Sequence, residues 1–412
     1  MRTLVTSILL LLIMVAPSTA QVLQWSGEVR IRSEADSRNF DLDSSPNTYT
    51  LMRTRLGLGV GLHPDVRLFV QLQDSRQFGE AGNTLAPIEN IDLHQAFVEA
   101  RRVIGDAVGF RAGRMALAYG NERIIGAVGW HNVGRAFDGL VVNIGGEPLS
   151  LDLIATNIRE TQPWAPVATP QATRPQPDDQ LLFYGAYLQS ALSEVHFADA
   201  YLLWESDRAE YPGRTRRMSR ATLGTYLRGS LSPELLYKTE VALQTGRRMD
   251  DDVFAYMLTG SLSYRFGAPP PLTATLGYDH LSGSPTDDDR YGAFDPLFHT
   301  GHKFYGFMDY FIAVPANTSG RGLRDLYLSG QFADLGGVAL TIWLHNFWLE
   351  RADEAGDRLL GQEIDVVAAY RIHDVLSLEG GLGFFNGTEL MTRPFTGEDL
   401  GWWGFLGLSA AF

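Results

Sequence analysis

The sequence predicts an all-β fold: a transmembrane antiparallel β-barrel of about 18 strands, with short periplasmic turns and long extracellular loops. Three observations predict it. Segments of about ten residues alternate apolar and polar side chains, the period of a strand whose two faces meet different media. The connections between these segments are short and long in turn, which a water-soluble sandwich would not show. The last segment ends on Phe412, with Trp402, Leu406, Leu408 and Ala410 on the same face. A terminal aromatic on an alternating strand fits the signal read by the barrel-assembly machinery of the Gram-negative outer membrane. That machinery and outer-membrane lipid are therefore expected partners.

The chain begins as an exported protein does. Arg2 supplies a positive charge, residues 4–15 are mostly apolar, and Ser18-Thr19-Ala20 is a small-residue cleavage site. Residues 1–20 are read as a signal peptide and residues 21–412 as a single barrel domain. The apolar core of that leader is too short for a spanning helix, which needs about 20 residues. No later segment is long and apolar enough either. There is no cysteine, so neither disulfides nor thiolate metal sites are available. A net charge of −14 argues against nucleic acid as a partner.

In chain order the strands fall at about residues 24–35, 49–62, 66–75, 93–103, 107–117, 135–144, 149–158, 180–190 and 195–205. They continue at about 218–228, 235–245, 253–266, 272–281, 323–333, 338–349, 362–372, 376–385 and 401–412. The stretch 159–179 holds five prolines and few apolar residues, so it is a loop. Residues 303–312 alternate weakly. Counting them as a strand would break the even number that single-chain bacterial barrels keep, so they stay in the loop. Residues 250–252 form an acidic loop. Eighteen strands leave an aqueous lumen rather than a filled core.

With apolar faces toward lipid, the opposite faces line the lumen. They carry Arg30, Arg32, Arg53, Arg55, Arg67, Arg101, Arg111, Arg220, Arg228, Lys238 and Arg371, interleaved with Glu28, Glu99, Glu240, Asp279, Asp325 and Asp365. A charge facing lipid at mid-membrane costs about 2–4 kcal/mol, so the inward aim is preferred. Bases outnumber acids on the first five strands, which suits an anionic permeant held by arginine–carboxylate contacts. The plainer reading is that each arginine braces the wall through a salt bridge.

Residues 113–139 break the strand rhythm. They read GRMALAYGNERIIGAVGWHNVGRAFDG: strand, Gly-rich loop with three arginines, strand. The loop is too polar for a core and too aromatic for a disordered linker, so it is expected to fold inward and narrow the pore.

Here the chain resembles a family. Gly113-Arg114, Tyr119-Gly120, Glu122-Arg123, Trp130, Gly134-Arg135 and Phe137-Asp138-Gly139 look like the signature of the alginate-export outer-membrane channels. Phe294-Asp295-Pro296-Leu297-Phe298, His302-Lys303-Phe304-Tyr305-Gly306 with Asp309, and Gly322-Leu323-Arg324-Asp325 follow in the same order. Most of the chain lies outside these stretches and matches only in rhythm. The resemblance implies a monomeric 18-stranded barrel with an arginine-rich constriction that passes an anionic uronate polymer. Carried over, the constriction candidates are Arg114, Arg123, Arg135 and Asp138, helped by Arg53, Arg55 and Glu122. His302, Lys303, Asp309 and Asp325 form a second, pore-loop set. Nearby acids would orient the arginines and weaken each grip, since a permeant must be attracted without being trapped.

No metal or cofactor is expected. Asp287-Asp288-Asp289 lacks the spaced pattern of a calcium loop, and His299 with His302 lacks a third ligand. No spacing singles out a nucleophile, a base and an orienting group, so an enzyme is not expected. A porin for uptake of small acidic sugars shares the fold and lumen. A structural or adhesive barrel predicts a plugged lumen without selectivity. A passive exporter has no energy source, so periplasmic export partners would have to supply the drive.

Overall fold

The computed structural model describes residues 22–84, 90–159, 180–207, 218–267, 269–284, 290–395, 397 and 400–412. The leader, most of the proline-rich loop and Asp287-Asp288-Asp289 lie outside these residues.

The strands are β1 (Leu23–Ser37), β2 (Asn47–His63), β3 (Val66–Gln77), β4 (Ile91–Ile104), β5 (Val108–Met115), β6 (Phe137–Gly146), β7 (Leu149–Arg159), β8 (Leu181–Ala191), β9 (His196–Asp207) and β10 (Met218–Ser230). They continue as β11 (Leu235–Arg248), β12 (Asp251–Phe266), β13 (Leu272–Leu281), β14 (Arg290–Tyr291), β15 (Leu323–Phe332), β16 (Val338–Trp348), β17 (Leu359–His373), β18 (Leu376–Gly387) and β19 (Leu400–Ala411). All but β14 are barrel staves, each antiparallel to its neighbours, and β1 closes on β19 with Glu28 opposite Ala411 and Ser37 opposite Trp402. Closure pairs every edge, the condition for a sheet in lipid. Among the described residues no helix is long and apolar enough to cross a membrane; the crossing is made by strands.

The outward rows carry exposed leucines such as Leu202, Leu223, Leu276, Leu328, Leu382 and Leu406. That is the lipid-facing band the alternation predicts. The segment 303–312 is indeed not a strand; it follows a single 3-10 turn, Gly301–Lys303. Two local expectations are corrected. Asp251 and Asp252 belong to β12, so the acidic loop shrinks to Met249 and Asp250. In the other long connection, β14 lies parallel to the top of β12, an extra two-residue strand outside the up-and-down pattern.

The larger correction concerns the lumen. Its extracellular half is a packed core, not water. Residues 116–136 and 292–322 fold inward and bring Phe294, Phe298 and Phe311 against wall aromatics Phe137, Phe183, Phe347 and Phe385. The rings meet edge-on or tilted, as Phe298 does on Phe137 and Phe183 with centroids 5.3 and 4.9 Å away. Aqueous space remains below, including a cavity of about 830 Å³ on the β10–β19 side.

Candidate pore constriction

The first inward loop, residues 116–136, crosses the barrel and is held at several points. On the β7 side the Tyr119 hydroxyl donates to Asp152 Oδ2 at 2.7 Å. At its centre the loop pairs with the second inward loop. Ile125 bridges Phe298 in parallel, and the Phe298 and Thr300 amides donate to the Ile124 and Glu122 carbonyls. Gly126 is required at this junction: a Cβ there would sit 2.1 Å from Thr300 Oγ1. Glu122 completes the seam, accepting from Thr300 Oγ1 at 2.7 Å and from Lys303 Nζ at 3.0 Å. Burial favours its neutral form, but these two donors outweigh that and hold the carboxyl below its usual range.

Arg123 is buried. Its Nη1 donates to Asp279 Oδ2 at 2.8 Å and to the Tyr305 hydroxyl at 3.0 Å, and its guanidinium lies 4.0 Å over the Phe304 ring. Burial alone would lower its pKa; Asp279 foremost, together with Tyr305, Tyr327 and Glu240, more than offsets this and raises it. Arg135 has a different role. It donates to the main-chain carbonyls of Gly126, Phe298 and His299, so it ties the two loops together. Burial pushes its pKa down to about 10. The neighbouring His299 is pushed down to about 4, first by burial and then by Arg135, so it is neutral at pH 7.

The tip of the loop lies against β1, β2 and β3. Five consecutive carbonyls, from Gly129 to Val133, accept hydrogen bonds from wall side chains. Gly129 receives Arg30 and Arg53; Trp130 receives Arg30 and Arg32; His131 receives Arg30 and Arg53. Asn132 receives Ser75, and Val133 receives Arg55. Trp130 is clamped between the Arg32 guanidinium, 3.7 Å from its ring centroid, and the stacked His302 ring at 4.1 Å. Gly134 turns the chain with a φ of +79°, where a Cβ would stand 2.7 Å from Arg55 Nη2. Among the described residues only two carboxylates pair with these four arginines: Glu28 with Arg53 and Arg55, and Glu34 with Arg32.

The opposite wall is acidic and buried. Asp279 and Asp325 face each other across β13 and β15, and Asp325 lies 2.9 Å from His345 Nδ1. On β17, Glu363 accepts from the Met308 amide at 2.9 Å and Asp365 from the Phe307 amide at 3.3 Å. These carboxylates therefore hold the second inward loop. Beneath it the cavity wall is rich in hydroxyls, including Thr259, Ser261, Ser263, Thr275 and Thr341. Lys238 and Lys303 both face that cavity.

Several predicted site residues thus converge on the lumen: Arg53, Arg55, Glu122, Arg123 and Arg135 on or against the first loop, His302 and Lys303 on the second. Asp309 supports His302, with its Oδ1 2.9 Å from the ring Nδ1. Two placements are corrected. Arg114 and Asp138 pair with each other at 2.7 Å, but on the outer surface. The side chains on either side of them in sequence, Met115 and Phe137, point into the packed lumen, and Asp138 shares its row with exposed Leu140. Asp325 is a wall residue fully buried against His345, not part of a pore loop. The sequence reading missed the partners of the arginines, because main-chain carbonyls leave no mark in a sequence. It also passed over the Trp130–His302 stack, for which a tryptophan in a Gly-rich loop was the signal. Among the described residues no group of three or more His, Asp or Glu side chains is placed to hold a metal.

A closed 18-stranded barrel with a lipid-facing belt and inward loops defines the class: an outer-membrane β-barrel channel. Residues 22–386 match the alginate export family, and the chain belongs to it. Solved structures with the same fold include three proteins of Pseudomonas aeruginosa. OccK11 (OpdR) is 16% identical over 95% of this chain and 96% of its own, with a TM-score of 0.60. OpdK, solved with vanillate, is 11% identical over 94% and 98%, with a TM-score of 0.61. OpdO is 12% identical over 94% and 97%, with a TM-score of 0.62. No curated protein matches the sequence.

Proposed function

We propose that this protein is a passive outer-membrane channel for an anionic carbohydrate, an acidic polysaccharide of the uronate type moving outward. One observation carries the reading: among the described residues, four lumen arginines on β1 and β2 are accompanied by only two carboxylates. That wall has a net positive charge facing the permeant path. The carboxylates across the lumen do not cancel it for a solute, because they are buried and already bound to loop amides or Arg123. A wall of hydroxyls beside aromatic Tyr327 and Trp343 suits the remainder of a sugar chain. Membership of the alginate export family supports the polymer and the direction. The barrel works as a monomer, and drive comes from a synthase and partners in the periplasm.

Uptake of small acidic sugars is the second reading. The inward loops favour it, since they fill the extracellular half of the lumen and leave a cavity of about 830 Å³. A planar-bilayer current separates the two. Uronate oligomers added on the periplasmic side are expected to block it more strongly with each added sugar, and neutral oligomers not at all. A uronate monomer that blocks as well as a hexamer would favour uptake. Equal block by neutral oligomers would sink both readings.

A further inference from the structure

We infer that the arginine wall is a carboxylate site that the chain keeps occupied with its own backbone. The inference rests on the proposed permeant being a carboxylate-bearing sugar, and it adds how that permeant opens the path. Five carbonyls in a row, Gly129 to Val133, turn toward the wall, and four of them are bound by Arg30, Arg32, Arg53 and Arg55. A run of turned-out carbonyl oxygens presents to the guanidinium groups what a run of carboxylates would present. Carbonyls are neutral, whereas a carboxylate offers two oxygens and a full charge to the same planar fork, so a carboxylate is the better partner.

Arg30 is the group most open to exchange. All three of its hydrogen bonds go to loop carbonyls, and among the described residues it has no carboxylate within ion-pair distance. Its neighbours are partly neutralised by Glu28 and Glu34. A uronate chain arriving at β1 and β2 would replace the carbonyls one at a time. Each replaced carbonyl goes to water, and the tip 129–133 is released from the wall. The loop is not freed altogether, because Arg123 and Glu122 still anchor its other half to Asp279 and to the second loop. The tip is thus a strap that a polyanion unfastens and that refastens when the polymer has passed.

The test loosens the strap without touching an arginine. Ser75 Oγ donates to the Asn132 carbonyl at 2.8 Å, and Asn132 Nδ2 donates to the Met52 and Arg76 carbonyls at 3.2 and 3.4 Å. Ser75→Ala with Asn132→Ala removes these three bonds and leaves the proposed site intact. Titration of the detergent-solubilised protein with a uronate trisaccharide is expected to show about tenfold tighter binding by the variant, since less of the affinity is spent opening the loop. The chain has no cysteine, so a fluorophore on Val133→Cys is unique. Its emission is expected to change on adding the uronate trisaccharide and not on adding a neutral one. Equal affinity in wild type and variant, with a silent fluorophore, overturns the strap while leaving the anionic permeant standing. No measurable uronate binding by either protein overturns both.

Discussion

Two walls hold the same plug by opposite means. On β1 and β2, four arginines, Arg30 and Arg55 half-buried and Arg32 and Arg53 buried, grip main-chain carbonyls of the loop tip. On β13 to β17, buried carboxylates grip loop amides and the guanidinium of Arg123. The difference lies in what happens when the grip is lost. A carbonyl released from an arginine is hydrated at once, and the arginine can take another anion. A carboxylate sealed in the acidic wall has no water to turn to, so losing its partner leaves a buried charge uncompensated. One wall is built to exchange and the other to stay.

The largest effect should come from the fixed wall. Arg123→Ala strands Asp279, and Glu240 beside it, without their cation. It should destabilise the barrel by about 3–5 kcal/mol, read as a lower urea midpoint for loss of the folded band on a gel. The same truncation of half-exposed Arg30 should cost well under half of that. Equal losses at the two sites would erase the distinction between the walls.

A second prediction probes the seam between the loops. His299 is buried and neutral, with its pKa lowered from 6.5 to about 4. Between those values the unfolded chain binds a proton that the folded one refuses, so stability falls as pH drops from 6.5 toward 4. The loss should reach about 3 kcal/mol at pH 4. His299→Gln should flatten that part of the pH–stability curve, and a curve unchanged by the substitution would remove His299 from the account.

The smallest effect is expected outside the barrel. Arg114→Gln with Asp138→Asn deletes an exposed pair, worth about 0–1 kcal/mol. It should leave ion selectivity unaltered, since neither side chain reaches the lumen. A shift in selectivity would place them on the permeant path after all.

The strands were legible because their signal is simple. Period-two alternation marks each stave, and the turn residues mark the ends. The constriction was legible only in part. Arg53 and Arg55 could be chosen because bases stand out on a lumen face, and Arg123 because the family resemblance fell on its loop. Arg114 and Asp138 were carried over from the family resemblance, and the alternation rule could not have corrected their placement. That rule sends apolar side chains to lipid and polar ones to the lumen, but at this height the lumen is filled by aromatic loops. Met115 and Phe137 therefore turn inward and their polar neighbours turn out. Arg135 and Arg30 bind carbonyls, so nothing in the sequence pointed to their partners.

In the proposed function, the exchangeable wall makes this channel selective for anions. Reversal potential in a planar bilayer under a salt gradient tests it most directly, because it reads selectivity whatever the conductance. The comparison is wild type against Arg30→Gln with Arg55→Gln, which spares the Arg32–Glu34 and Arg53–Glu28 pairs. Anion selectivity in wild type that falls toward zero in the variant is the predicted result. Cation selectivity in wild type, or a reversal potential that the variant leaves in place, would contradict it.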